Sequence, residues 1–361
     1  MNISILDIQN PLWLEILAKI RHDTYHLPEY LLLDSKRTNT TPEAFLIVDG
    51  EKILFLPYLL RPCHDLVPTE LSDLENFDVI SPYGYPGFLL SEAAANTPGF
   101  PDFAINELKR VLRNKGVCSA FFRLHPILHD NLNQICQPGT FTPNGETVSV
   151  DLKLSTGKIK SRTRKGHKST INKCKRLGLT ARIVPYLEYL NEFMEVYEET
   201  MDRVEASKSY YFGREYFEDL AKLGEHTHLC LVEKENQIAS ASIFLECGGI
   251  VQVHLGGSKT EFLSESPFSL IFDYGRYWSQ ERGNEFFHMG GGVGGSKEDS
   301  LYIFKSGFSK ERHNFFTMRL ITDEEKYHHL VELRAKYLGV KPEEMLNSKF
   351  FPAYRLPSEV R

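Results

Sequence analysis

Hydrophobic and polar positions change period several times along the chain. Two apolar runs, AFLIV and ILFLPYLL, flank Asp49-Gly50 within residues 44–61 and predict a β-hairpin, because Asp-Gly supplies the positive φ angles that a tight hairpin turn requires. Ile105, Leu108, Val111 and Leu112 recur at helical spacing and predict an amphipathic helix over 103–114. Around these elements the pattern predicts a helix over 11–21, a Pro/Gly/Tyr-rich loop over 78–88, and strands over 117–124 and 146–152, with a turn at His125-Pro126. The second half opens with a basic helix over 159–177, stopped at Gly178, and continues with helices over 186–204 and 214–222. Strands follow over 228–233, 237–246 and 250–255, then a helix over 267–282 closed by Gly283. A short strand over 286–289 leads into a glycine cluster, and a strand over 315–321 precedes a last helix over 324–337.

The order helix, hairpin, further strand, helix, strand occurs in both halves. This predicts an α/β (α+β) chain of two related domains, 1–152 and 153–361, each a mixed, mostly antiparallel sheet flanked by helices. Length agrees, since 361 residues correspond to about two domains. No apolar run approaches the roughly 18 residues of a membrane helix, and the first twenty residues lack the basic start and cleavage-like end of a signal peptide. The six cysteines are scattered, as expected of reduced thiols in a cytoplasmic protein. A net charge of −6 argues against a protein coated in nucleic acid, but leaves room for one basic groove.

Such a groove has a candidate. Residues 153–176 hold ten lysines and arginines and no acid, and on one helix Arg164, Lys168 and Lys175 would share a face. That pattern suits phosphates or an RNA backbone, with a solvated helix face as the alternative. A second candidate is Gly290-Gly291-Gly292-Val293-Gly294-Gly295, whose backbone permits close approach of a ligand, followed by SLYIFKSGF with Lys305 placed to stabilise an oxyanion or a phosphate. A third is SPYGYPGF at 81–88, either an aromatic lip around a ligand or a plug into the core. His125, His254 and His288 sit singly on or beside apolar strands, and none pairs at metal-ligand spacing. The sequence has no P-loop, dinucleotide fingerprint or nucleophile elbow, so neither a cofactor nor covalent catalysis is expected.

Taken in order, SPYGYPGF, FRLHP, RTRKGHKSTINKCKRLGL, VHLGGS, FHMGGG and LYIFKSGF resemble the Fem-type branch of the GNAT superfamily, which includes the FemA, FemB and FemX peptidoglycan-bridge aminoacyltransferases. The resemblance spans about residues 78–308. It implies two tandem GNAT-like domains and transfer of an acyl group to an amine. In the best-known members the donor is aminoacyl-tRNA and the acceptor a peptidoglycan precursor. The family's FK pair falls on Phe304 and Lys305, which places the lysine beside the reacting ester. The basic helix supplies Arg162, Arg164, Lys165, Lys168 and Lys175 for the RNA, with Gly290, Gly291 and Gly292 beside the reacting group. The sequence departs from the family in three places. His254 replaces the aromatic of the YxGGS strand, no inserted helical hairpin arm is present, and the coenzyme A signature R/Q-x-x-G-x-G/A is missing.

These readings together predict an aminoacyl- or acyltransferase that works by direct attack of a neutral amine on an activated carbonyl. Lys305 would hold the oxyanion, His254 and His288 are the candidate bases, and Tyr83, Tyr85, Arg123 and Tyr211 would line the acceptor pocket. The acceptor would be a cell-wall precursor, a sugar amine or a small metabolite amine. An acyl-coenzyme A or acyl-carrier-protein donor, and a ligand-binding protein without catalysis, are the alternatives.

Overall fold

The computed structural model describes residues 1–66, 76–129 and 141–357. Its strands, in chain order, are β1 (Asn2–Asp7), β2 (Thr41–Asp49), β3 (Lys52–Pro62), β4 (Phe77–Ile80), β5 (Leu89–Leu90), β6 (Val117–Arg123), β7 (Phe141–Asp151), β8 (Thr180–Val184), β9 (Thr227–Lys234), β10 (Gln237–Cys247), β11 (Ile250–Ser258), β12 (Phe286–Gly290) and β13 (Glu311–Ile321). The chain divides into two compact units. The first comprises Met1–Arg21, Tyr25–Pro143 and the chain from Phe315 onward, and the second comprises His22–Thr24 and Asn144–Asn314.

In the first unit the hairpin forms as expected, with Asp49 opposite Lys52 and Gly50 at φ +64. Helix α1 (Leu12–Leu17) buries Trp13, Ile16 and Leu17, and α2 (Pro28–Thr38) begins on a proline at its first turn, where the missing N–H costs nothing. Helix α3 (Glu92–Ala95) is capped by the Ser91 hydroxyl, and α4 (Phe100–Asn114) buries Phe100, Ile105, Leu108 and Leu112 against the sheet. Each such side chain stabilises the fold by roughly 1.5–3 kcal/mol. The sheet runs β1-β2-β3-β4-β6-β13, antiparallel throughout except for the parallel pair β4 and β6.

The second unit repeats this plan. Its sheet runs β8-β9-β10-β11-β12-β7, with β11 and β12 as its parallel pair. Helices α5 (Thr156–Arg162) and α6 (Lys165–Arg176) precede β8, α7 (Leu190–Arg203) and α8 (Arg214–Leu220) follow it, and α9 (Phe268–Glu281) crosses between β11 and β12. Short α10 (Ser300–Ser306) joins β12 to β13. Val150, Val232, Phe244, Val251, Ile271, Phe287 and Phe308 form the core of this unit.

Two expectations need correction. The predicted boundary at 152/153 lies instead at 143/144, within β7, and the predicted second domain does not keep the C-terminus. Thr317–Ile321 of β13 pairs antiparallel with β6, α11 (Glu324–Leu338) and α12 (Pro342–Leu346) follow, and Tyr354 is buried with its hydroxyl 2.6 Å from Ser119 Oγ. A local pattern cannot reveal such a return, because the pairing partner lies nearly two hundred residues upstream. The single basic helix is in fact two, broken at Thr163-Arg164, whose backbone is extended. Tertiary bonds hold the break open: Thr163 Oγ1 accepts from Arg276 at 2.6 Å and donates to the Phe308 carbonyl at 3.2 Å, while Arg164 N–H donates to the Gly307 carbonyl at 2.7 Å. Cys63, Cys118, Cys174, Cys230 and Cys247 are buried free thiols, and Cys136 lies outside the described residues.

Candidate active site at the parallel strand pair of the second unit

Pairing of β11 with β12 ends at Gln252–His288, although β11 continues to Ser258. At this end Gly290, at φ +74, turns the chain out of β12 into a loop that is exposed from Val293 to Glu298. The loop is anchored where it meets α10. Glu146 on β7 accepts from Lys297 Nζ and from the Tyr302 hydroxyl, both at 2.6 Å, and these bonds lower the Glu146 pKa. Asp299 caps α10 through the Tyr302 amide at 2.9 Å. A β-carbon on Gly292 would lie 2.2 Å from Asp299 Oδ1, so the cap fits only because residue 292 has no side chain.

Lys305 projects from α10 into this corner. It is half-buried, and its Nζ donates to the Gly291 carbonyl at 2.6 Å. Desolvation pulls its pKa down to about 8, and Asp299 acts in the opposite direction. A lysine in this state is still mostly protonated at neutral pH and holds its charge in a partly dehydrated place. Phe304, its neighbour in the motif, points elsewhere: it stacks on Phe272 at 5.6 Å and meets Phe308 at 5.3 Å, so it packs the core under α10.

The N-terminal end of α6 docks on the same helix. His167 Nε2 lies 3.0 Å from the Phe304 carbonyl, and its ring covers Gly307, where a β-carbon would come within 2.1 Å of it. Burial lowers the His167 pKa. Arg164 adds its amide bond to Gly307 and a longer side-chain contact of 3.4 Å to Ser306. The RKGH and FKSGF motifs are thus two sides of one joint.

The expected cations are not all available. Lys175 pairs with Asp273 at 2.7 Å, Arg162 with Glu311 at 3.5 Å and Lys153 with Glu285 at 2.5 Å, so carboxylates from other segments offset part of the run. Arg164, Lys165 and Lys168 make no ion pair among the described residues, and they crowd the N-terminal turn of α6, where the helix has no acid. Cations at the positive end of a helix cost about 0.3–1 kcal/mol each, so folding alone gives no reason for them there.

The remaining expected residues divide between the units. His288 is fully buried, its Nδ1 2.5 Å from Gln252 Oε1, and Gln252 Nε2 donates to Asp23 at 2.7 Å. His254 lies 2.9 Å from the Tyr216 hydroxyl and is also buried. Tyr211 is exposed and donates to Asp202 at 2.9 Å. Tyr83, Tyr85 and Arg123 belong to the first unit. The Tyr83 amide donates to Asp34 at 2.9 Å, Tyr85 meets Phe315 edge-on at 5.3 Å, and the Arg123 guanidinium lies 5.4 Å over the Phe121 ring. Four residues of the second unit lie beyond what the sequence pattern marks: His167, Arg276, Asp299 and Glu146. Arg276 carries a signal, since it stands three residues after Asp273 on one helix, and it is buried against that carboxylate at 2.6 Å. Among the described residues no cluster of His, Cys, Asp and Glu could hold a metal, and no helix is long and apolar enough to cross a membrane.

No family model matches the chain, and no curated protein matches it in sequence. Among solved structures it is similar to FemX, with a TM-score of 0.66 at 13 % identity over 92 % of this chain and 100 % of that one. It is also similar to L-PGS from Bacillus licheniformis, with a TM-score of 0.54 at 20 % identity over 86 % and 91 % of the two chains. A third likeness is to the C-terminal domain of a putative lysylphosphatidylglycerol synthetase from Agrobacterium fabrum, with a TM-score of 0.53 at 14 % identity over 84 % and 89 %. At such identities the likeness is one of fold, and the fold is the one shared with FemX.

Proposed function

We propose that the protein is an acyltransferase that moves an aminoacyl group from aminoacyl-tRNA to an amine acceptor. The observation that carries this reading is Lys305, a half-buried cation held at 2.6 Å on the Gly291 carbonyl where the parallel strands part. FemX, whose fold the chain shares, and the sequence motifs support the same chemistry.

In this reading the acceptor's neutral amine attacks the ester carbon and a C–N bond forms. The carbonyl oxygen takes the negative charge, and Lys305 Nζ shifts from the Gly291 carbonyl to meet it. Collapse breaks the ester C–O bond, and the proton lost by the amine goes to the departing ribose oxygen. Preorganised charge at the oxyanion is the main protein contribution, with juxtaposition of the two substrates supplying much of the rest. Arg164, Lys165 and Lys168, clustered at one end of α6 beside α10, receive donor phosphates. His288 and His254 are committed to buried hydrogen bonds with Gln252 and Tyr216, and in this reading they shape the strand ends. Tyr83, Tyr85, Arg123 and Tyr211 are assigned to the acceptor, and the reaction is assigned to the cytoplasm, where charged tRNA is found.

The test is to incubate the protein with charged total tRNA, and separately with acyl-coenzyme A thioesters, beside a pool of amines. Donor deacylation is followed by mass spectrometry, with Lys305→Ala as the control. Lys305-dependent consumption of one aminoacyl-tRNA is the expected result. Consumption of a thioester with tRNA untouched would replace the donor, and no Lys305-dependent consumption of either would leave a binding protein.

A further inference from the structure

Helix α6 has a second end. Its C-terminal turn, the start of β8 and one face of α9 enclose an open cleft of about 390 Å³, within the range of about 300–1,000 Å³ usual for small ligands. Tyr274, Tyr277 and Trp278 line it from α9, half-buried, with Lys175 and Asp273 at one side and Glu281 at the other. The indole has fixed neighbours: His228 meets it edge-on at 4.7 Å and the Arg282 guanidinium lies over its ring at 5.0 Å. The Asp273 carboxylate is already satisfied by Lys175 and Arg276, so it does not repel an anion.

The cleft is continuous with the cationic side of α6. Ser169, Asn172, Lys175 and Arg176 border a shallow depression along the helix, and Lys175 also borders the cleft. From Lys165 to Lys175 the helix rises about 15 Å, the reach of a few nucleotides of extended strand. One end of this track lies beside Lys305 and the other at an aromatic cleft.

We propose that the cleft is a nucleobase subsite for the donor: an unpaired base near the reactive end of the RNA stacks on Trp278 and Tyr277, with its phosphate toward Lys175. The inference rests on the donor reading above and extends it. Aromatic faces beside a cationic track are the recurrent means of holding single-stranded nucleic acid, because every base offers a π-face. Glu281, exposed at the far rim and without an ion pair among the described residues, accepts a hydrogen bond from an exocyclic amine. The arrangement has a polarity, cation for phosphate at one side and acceptor for base at the other. Coenzyme A also carries a base on a phosphate chain, so the test includes it as a separate ligand.

The chain provides its own probe. Of its two tryptophans Trp13 is fully buried, so a ligand-induced change in tryptophan emission reports Trp278. The wild-type protein is titrated with an RNA stem bearing an unpaired 3′ end, with the same stem made blunt, and with coenzyme A. Affinity is measured in parallel by filter retention. The expected result is quenching by the overhang RNA alone, lost in Trp278→Phe, with affinity for that RNA reduced roughly ten-fold in Tyr277→Ala. Salt-sensitive RNA binding that leaves Trp278 emission and the Tyr277→Ala affinity unchanged would overturn the subsite while the donor reading stands. Absence of RNA binding would overturn both, and quenching by coenzyme A alone would give the cleft to a thioester donor instead. Glu281→Ala, an exposed change with no packing to lose, guards against misfolding: it is expected to narrow the difference in affinity between overhangs rich in amine-bearing bases and overhangs of uridine. An unchanged difference would remove Glu281 from the subsite.

Discussion

The two units end their parallel strand pairs in opposite ways. In the first, β6 runs into Leu124-His125-Pro126-Ile127, and His125 is completely buried. Its Nδ1 accepts from the amides of Ile127 and Leu128 at 3.2 and 3.1 Å, while the His125 amide meets His129 Nδ1 at 3.0 Å. The facing loop closes the corner: Phe88 is buried edge-on against His129 at 4.6 Å, and Gly84 exists where any β-carbon would lie 2.5 Å from the Tyr25 ring. In the second unit the equivalent strand runs into glycines, and the corner holds a lysine with a depressed pKa. One architecture thus yields a sealed corner and an open one. The difference lies in a handful of residues after the fifth strand of each sheet: the fold supplies the notch, and local sequence decides whether side chains fill it.

That contrast can be broken by mutation. The largest expected effect is at the open corner: Lys305→Ala lowers single-turnover transfer on the order of 100- to 1,000-fold with little change in melting temperature. A variant that unfolds, or one that keeps its rate, would remove the distinction. Next is Gly292→Ala, whose β-carbon displaces the Asp299 cap and with it α10. A loss of roughly 10- to 100-fold in rate is expected from the misplaced lysine, read against an unchanged affinity for donor RNA. Lys165→Ala with Lys168→Ala should leave the chemical step intact but weaken RNA binding. The slope of log affinity against log salt should become shallower by about 0.7 for each phosphate that the variant no longer neutralises.

At the sealed corner the effect should be on folding alone. His125→Ala leaves one buried and one half-buried amide donor without their acceptor, so about 1–3 kcal/mol of stability should disappear in denaturant titrations. The transfer rate of the folded fraction should not change. A rate loss like that of Lys305→Ala would mean that the first corner is also a reaction site.

How much of this is legible in the sequence differs between levels. The hairpin at Asp49-Gly50, helix α4 and the strands β9 to β11 follow from local period and turn chemistry, and their ends match within a few residues. The repeated order of elements is legible too, although not the route by which β13 returns to the first unit, since strand pairing across such a distance leaves no local mark. Helix α2 is hidden because Tyr30, Leu31, Leu33, Asp34 and Ser35 are all buried there, which mixes polar residues into the inward face. At the site, Lys305 and the glycine cluster are legible as unusual chemistry. The joint between His167 and Gly307 is not, because a histidine in a basic run carries no sign of which glycine its ring will cover. The ion pair of Lys175 is not legible either, since its carboxylate partner sits on another helix altogether.

The most direct test of the account is the pH dependence of single-turnover transfer in the wild type and in Lys305→Arg. Lys305 is lowered to about 8, so its charge, and the oxyanion stabilisation that depends on it, is present below that pH and lost above it. The account predicts an alkaline fall in rate near pH 8 in the wild type. The fall should be absent in Lys305→Arg, whose guanidinium stays charged throughout, even if its maximal rate is lower. An alkaline fall unchanged by the arginine, or a wild-type rate that keeps rising past pH 9, would show that the lysine cation is not what the open corner contributes.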